Sequence, residues 1–217
     1  MIDRAKEKDE AKKQKEKRWR QRLMQLDPLS RKISKQVICA VDLETTGPLN
    51  LVKEENFRLD AAGRDKLIKI PRHEIIEVGI IRIDPETKET WPVLEQRVKP
   101  SVPVANEAFQ VHGISEQELK QKPVFSAMAS HLGGILKRAD VVVMHMAKWD
   151  AAVINQQLKR AGVPGIGKKK LFCTVQLAER KGFKFAETGI DALCGSLGII
   201  VEKQKRHTAI YDAYLTA

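Results

Sequence analysis

Val37-Ile38-Cys39-Ala40-Val41-Asp42-Leu43-Glu44-Thr45-Thr46-Gly47 begins as an apolar run and ends in two carboxylates and a turn. The run Val37–Val41 suits a buried strand. Side chains two apart in a strand share a face, so Asp42 and Glu44 project together while their neighbours point into a core. Two carboxylates side by side repel each other unless a cation sits between them. A D-x-E pair alone is equally compatible with a solvated pair, so the rest of the chain has to decide.

Downstream, Glu74–Ile83 is rich in Ile and Val and reads as a second strand. Asp84-Pro85-Glu86-Thr87 is turn chemistry, and Trp91–Val98 reads as a third strand that closes an antiparallel hairpin. Pro123–Leu136 predicts a helix entered by a proline. Val141–Met144 reads as a buried strand, and Trp149–Gly162 as an amphipathic helix stopped by glycine. A short strand Leu171–Cys173 with a helix behind it, and helices over Ile190–Leu197 and His207–Ala217, complete the pattern. Three strands followed by strands alternating with helices predict an α/β sandwich around a mixed sheet.

Two further stretches carry chemistry. His145-Met146-Ala147-Lys148-Trp149-Asp150 lies at a strand-to-helix seam, where Asp150 suits either a helix start or a metal. His207-Thr208-Ala209-Ile210-Tyr211-Asp212 pairs an imidazole with a carboxylate five residues on. Positions five apart do not stack on a helix. The two reach a common centre only if His207 sits at the helix entrance and Asp212 faces inward.

The 217 residues include 39 Lys and Arg against 28 Asp and Glu, a net charge of +11 that favours a polyanionic partner. Residues 1–36 hold 13 basic and six acidic residues, hence +7 of that excess. Trp19, Leu23 and Leu26 fall on one helical face, so the segment reads as a charged helix that binds nucleic acid, docks on a partner or is merely solvated. Cys39, Cys173 and Cys194 form no C-x-x-C pair. Together with the absence of an apolar signal core or a membrane-length apolar stretch, they predict a cytoplasmic chain with no membrane association.

Taken in order, VDLETTG (Asp42, Glu44), HMAKWD (Asp150) and HTAIYD (His207, Asp212) resemble the three exonuclease motifs of the DEDDh 3′→5′ exonucleases. That family is typified by the proofreading epsilon subunit of bacterial replicative polymerase. IIEVG (Ile75–Gly79), VHGIS (Val111–Ser115) and IDALC (Ile190–Cys194) look like its structural landmarks, and the resemblance runs over Val37–Ala217. Departures are Met146 where the family usually has Asn, Trp149 in place of Phe, Cys173-Thr174 in place of Asp-Thr, and a long segment 48–73 after the first strand.

The resemblance implies a ribonuclease H-like fold with a five-stranded mixed sheet flanked by helices. It also implies an exonuclease domain at 37–217 behind an extension at 1–36. Asp42, Glu44, Asp150 and Asp212 would hold two divalent cations, Mg²⁺ or Mn²⁺, with His207 as general base. Thr45, Thr46 and His112 would touch the terminal nucleotide, and Lys203, Lys205 and Arg206 the phosphates. Segment 48–73 would overhang the cleft. Gly165–Lys170 resembles a phosphate loop, but it follows a helix that leads away from the metal end and reads as a solvated turn. The expected substrate is a single-stranded 3′ end, DNA ahead of RNA, with a polymerase or other protein docking through the extension. The alternatives are an RNA-trimming relative like ribonuclease T or oligoribonuclease, and a non-catalytic nucleic-acid-binding or polymerase-scaffold module.

Overall fold

A computed structural model describes residues 36–47, 73–166, 170–184 and 188–217. The expectations for the 1–36 helix and for segment 48–73 therefore lie outside the described residues, apart from Gln36 and His73. The described residues fall in one compact unit, Gln36–Ala217.

Five strands form one mixed sheet: β1 (Ile38–Thr45), β2 (Ile75–Ile83), β3 (Thr90–Arg97), β4 (Val141–Met144) and β5 (Lys170–Cys173), in the order β3-β2-β1-β4-β5. β2 pairs antiparallel with β1 and β3, and β4 pairs parallel with β1 and β5. The β2–β3 hairpin and the mixed sheet both match the sequence reading. β1 is longer than the apolar run, because it continues through Asp42 and Glu44 to Thr45.

Among the described residues the α-helices are α1 (Asn106–His112), α2 (Glu116–Leu119), α3 (Phe125–Arg138), α4 (Ala147–Arg160), α5 (Thr174–Arg180), α6 (Ile190–Ser196) and α7 (Ala209–Thr216). α1 and α2, which flank the VHGIS loop, were not expected. The expected helix at Trp149 begins at Ala147, and the one at His207 begins at Ala209. The glycine expected to stop α4 does follow its end, with Gly162 at φ 71.

Alternation along β1 divides the core. Cys39, Val41 and Leu43 pack with Val78, Ile80, Leu132, Ile135, Ala151 and Ile154, so α3 and α4 cover that face. Ala40, on the other face, packs with Ile81 and with Ala213 of α7. Full burial of such aliphatic side chains contributes about 1.5–3 kcal/mol each. The same alternation turns Asp42 and Glu44 toward the α7 side. Thus the α7 layer is both core cover and one wall of the site.

Gly165–Lys170 departs from a fully solvated turn at its start. Ile166 is buried and its N–H donates to Asn155 Oδ1 of α4 at 2.7 Å.

Candidate active site

On the α7 face of the sheet, Asp42 lies opposite Gly79 and Glu44 opposite Glu77. α7 crosses this face and contributes Asp212, which is buried; α4 contributes Asp150, also buried. Asp150 is in the first turn of α4 rather than at its cap, which is Met146, so capping does not account for it. Glu44, His207 and Asp212 each bring one ligand atom to within 4.8 Å of one another.

Like charges gathered away from water disfavour ionisation. Burial chiefly pushes the Asp42 carboxyl well above the usual range, helped by Asp150, Glu44 and Asp212. Burial, then Asp212 and Glu77, push Glu44 up to about 9. Burial raises Asp150 to about 7. Asp212 Oδ1 is buried without a hydrogen-bond partner among the described residues. A set of oxygen donors with an open lone pair and mutual repulsion fits a hard divalent cation.

His207 precedes α7 in left-handed backbone, φ 61, and its N–H donates to Asp212 Oδ2 at 3.2 Å. The neighbouring Arg206 turns inward: its guanidinium pairs with Asp212 and, at 2.8 Å, with Asp191 of α6. Lys203 and Lys205 are exposed on a short 3₁₀ turn, Lys203–Lys205, and Lys205 pairs with Glu202 at 2.7 Å. Two of the three basic residues are thus available at the surface, while the third is occupied by carboxylates.

Thr45 and Thr46 are both buried in the turn. Thr45 Oγ1 donates to Gly47 O at 2.8 Å, and Thr46 Oγ1 accepts from Glu74 N at 2.9 Å. Thr46 O also accepts from Ala105 N at 2.7 Å, which ties the turn to the entrance of α1. His112 is half-buried, and its Nδ1 accepts from Ile114 N at 2.9 Å, so Nε2 carries the ring proton. Burial is the main cause that lowers its pKa. At the seam between β4 and α4, His145 Nδ1 lies 2.8 Å from Thr174 Oγ1, and burial lowers its pKa to about 4.

Residues 39–217 match the family model described as Exonuclease, RNase_T. The chain belongs to the exonuclease family. Among this family member's relatives, the DNA polymerase III subunit epsilon of Escherichia coli (strain K12) is 32% identical over 151 residues, 67% of this chain and 60% of that protein. The same subunit of Buchnera aphidicola subsp. Schizaphis graminum is 29% identical over 184 residues, 83% of this chain and 71% of the relative. The chain therefore spans about three-fifths of the Escherichia coli relative's length. Among solved structures, Exonuclease X in complex with 5′ overhanging duplex DNA superposes with TM-score 0.56 at 23% identity, covering 82% of this chain and 86% of that one. The nuclease domain of 3′hExo, a DEDDh family member bound to rAMP, gives 0.60 at 16% identity, covering 84% and 88%. These likenesses establish the ribonuclease H-like exonuclease fold.

Two residues of this exonuclease-family chain were not among the candidates. Glu77 of β2 is 3% exposed; its Oε2 accepts from Ala209 N at 2.8 Å and its Oε1 from Arg97 Nε at 2.7 Å. Arg97 also reaches Glu118 at 3.1 Å. The signal was present in IIEVG: a carboxylate in an apolar strand is almost never buried unless paired.

Proposed function

We propose that the chain is a metal-dependent 3′→5′ exonuclease, with Asp42, Glu44, Asp150 and Asp212 holding two divalent cations and His207 acting as general base. The observation that carries this reading is the gathering, around the Asp42–Glu44 end of β1, of His207 and Asp212 from the α7 face and of Asp150 from the first turn of α4. Burial and mutual repulsion destabilise Asp42, Glu44 and Asp150 as anions, which a cation would relieve. A non-catalytic scaffold gains nothing from such repulsion.

Two Mg²⁺ or Mn²⁺ ions held by these carboxylates would stabilise charge on the attacking and leaving oxygens and lower the pKa of a bound water. His207, at the helix entrance, would take the proton from the attacking water; an imidazole is suited to this near neutral pH. Its left-handed backbone and its N–H bond to Asp212 tie the base to one of the metal-holding acids. Glu44 is held at the sheet by β1 and Asp212 by α7, so the strand and the helix together fix the donor spacing. Lys203 and Lys205 would contact phosphates at the rim.

The substrate reading is a 3′ end of single-stranded DNA, supported by relatives that are subunits of a DNA polymerase. RNA is the second reading, favoured by a neighbour that binds rAMP. The extension at 1–36, set before an exonuclease domain at 37–217, would serve a polymerase or another partner. The deciding experiment uses matched 3′- and 5′-labelled DNA and RNA oligonucleotides with Mg²⁺, Mn²⁺ or EDTA. Stepwise shortening from the 3′ end with metal and none in EDTA is the expected result; degradation in EDTA, or from the 5′ end, excludes the reading.

A further inference from the structure

α7 carries Asp212 and follows directly on His207, so the placement of its first turn sets the geometry of both groups. The helix has no cap of its own. Its N-cap residue, Thr208, makes no capping bond, and the Thr208 hydroxyl instead donates to Lys205 O at 2.7 Å. The first helical N–H, that of Ala209, would otherwise be an orphan donor in a buried setting. It is satisfied from 132 residues away, by Glu77 Oε2 at 2.8 Å.

We propose that Glu77 is a positioning residue for the hydrolytic centre, capping α7 across the sheet and so fixing where His207 and Asp212 stand. The inference rests on the reading of those two residues as base and metal holder.

Four features support it. An anion at a helix N-terminus gains from the helix dipole and from a charge-assisted bond to the N–H. Each Glu77 oxygen already accepts a bond, one from Ala209 and one from Arg97, and Glu77 lies outside the Glu44, His207 and Asp212 group although it is paired opposite Glu44. Arg97 in turn holds Glu118, which closes the Ser115 capping box of α2. One buried carboxylate thereby joins the start of α7 to β3 and, through Arg97, to the VHGIS loop. Two residues along the same strand face, Gly79 lets the α7 backbone come close enough for the bond to form.

The test compares the full chain with Glu77→Ala, Glu77→Gln and Ala209→Pro, using a short labelled single-stranded DNA oligonucleotide and amide hydrogen exchange. A displacement of about 1 Å at a reacting group costs roughly 10²-fold in rate, so Glu77→Ala should lose up to that much in kcat, with KM within about threefold. Glu77→Gln keeps an acceptor for the Ala209 N–H and should recover most of the loss. Exchange at Ala209 should quicken in Glu77→Ala alone of the two. Proline is tolerated at the first helical position but lacks the N–H, so Ala209→Pro should reproduce the Glu77→Ala loss, and the double variant should be no worse than either single one.

Wild-type kcat in Glu77→Ala, equal damage in Glu77→Gln, or additive losses in the double variant would overturn the proposal. If Glu77→Ala fails to fold, Glu77→Gln and Ala209→Pro still decide, through the split between kcat and KM. Should the unaltered chain cleave nothing, the nuclease reading fails, whereas the exchange comparison still tells whether Glu77 holds α7.

Discussion

Gly79 lies directly beneath the first turn of α7: a β-carbon at that position would fall on the backbone of Ala209 and Ile210. A glycine inside a strand weakens it, so its use here marks close approach of another backbone. Gly79→Ala should cost about 1–3 kcal/mol, the usual range for overpacking. It should also lower cleavage, because relief of the clash requires α7 to lift. Urea denaturation and the rate on one oligonucleotide check both. Unchanged activity in a destabilised Gly79→Ala protein would show that the site tolerates movement of α7.

The acid cluster makes a prediction about pH. In the fold, Glu44 keeps its proton to about 9 instead of 4.5, and Asp150 to about 7 instead of 3.8. Between those limits the native state binds more protons than the unfolded chain, so stability falls as pH rises. Metal-free protein should therefore melt at progressively lower temperature from about pH 4.5 to pH 9. Mg²⁺ or Mn²⁺ should flatten the fall, because cation binding to the native state offsets the repulsion. Glu44→Gln in EDTA should melt above wild type at pH 8.5 and close to it at pH 5. A melting temperature that climbs with pH in EDTA would contradict the burial assigned to these acids.

Much of this was legible in the sequence because period-2 alternation in β1 fixes which residues share a face. Asp42, Glu44 and the core residues Val41 and Leu43 followed from it directly. What was missed has physical reasons. α1 and α2 are seven and four residues long, too short to show helical periodicity, although Ser115 and Glu118 carry a capping-box spacing. The sequence pattern starts α7 two residues early, since a left-handed histidine has no signature of the kind glycine gives. Lys203, Lys205 and Arg206 look alike in sequence. Only the carboxylates of Asp191 and Asp212, brought together by α6 and α7, single out Arg206 as the inward one.

That difference among the basic residues is measurable. Lys203 and Lys205 should contribute phosphate contacts, and each lost single-strand contact should make the log–log salt dependence of binding shallower by about 0.7. Lys205 already pairs with Glu202, so Lys203→Ala should have the larger effect. Arg206→Ala should act differently, by disturbing Asp212 and with it metal affinity, which a Mn²⁺ titration reads without any substrate. An Arg206→Ala protein with an altered salt slope and unchanged Mn²⁺ affinity would place Arg206 on the substrate instead.

His207 permits a cleaner test than an alanine variant. At φ 61 a residue with a β-carbon is strained, but asparagine tolerates this region far better than most. His207→Asn therefore keeps the backbone geometry, and with it the N–H bond to Asp212, while it removes the imidazole. It should fold as wild type, bind Mn²⁺ and oligonucleotide with little change, and cleave roughly 10²–10⁴-fold more slowly, the range for a positioned base. His207→Ala combines loss of the base with backbone strain, and should be less stable than His207→Asn at a similar rate. If His207→Asn cleaves at the wild-type rate, the proton leaves the attacking water by another route and His207 serves only to shape the entrance to α7. If His207→Asn is slow but also loses Mn²⁺, the ring closes the Glu44 and Asp212 cluster as a ligand instead of acting as its base.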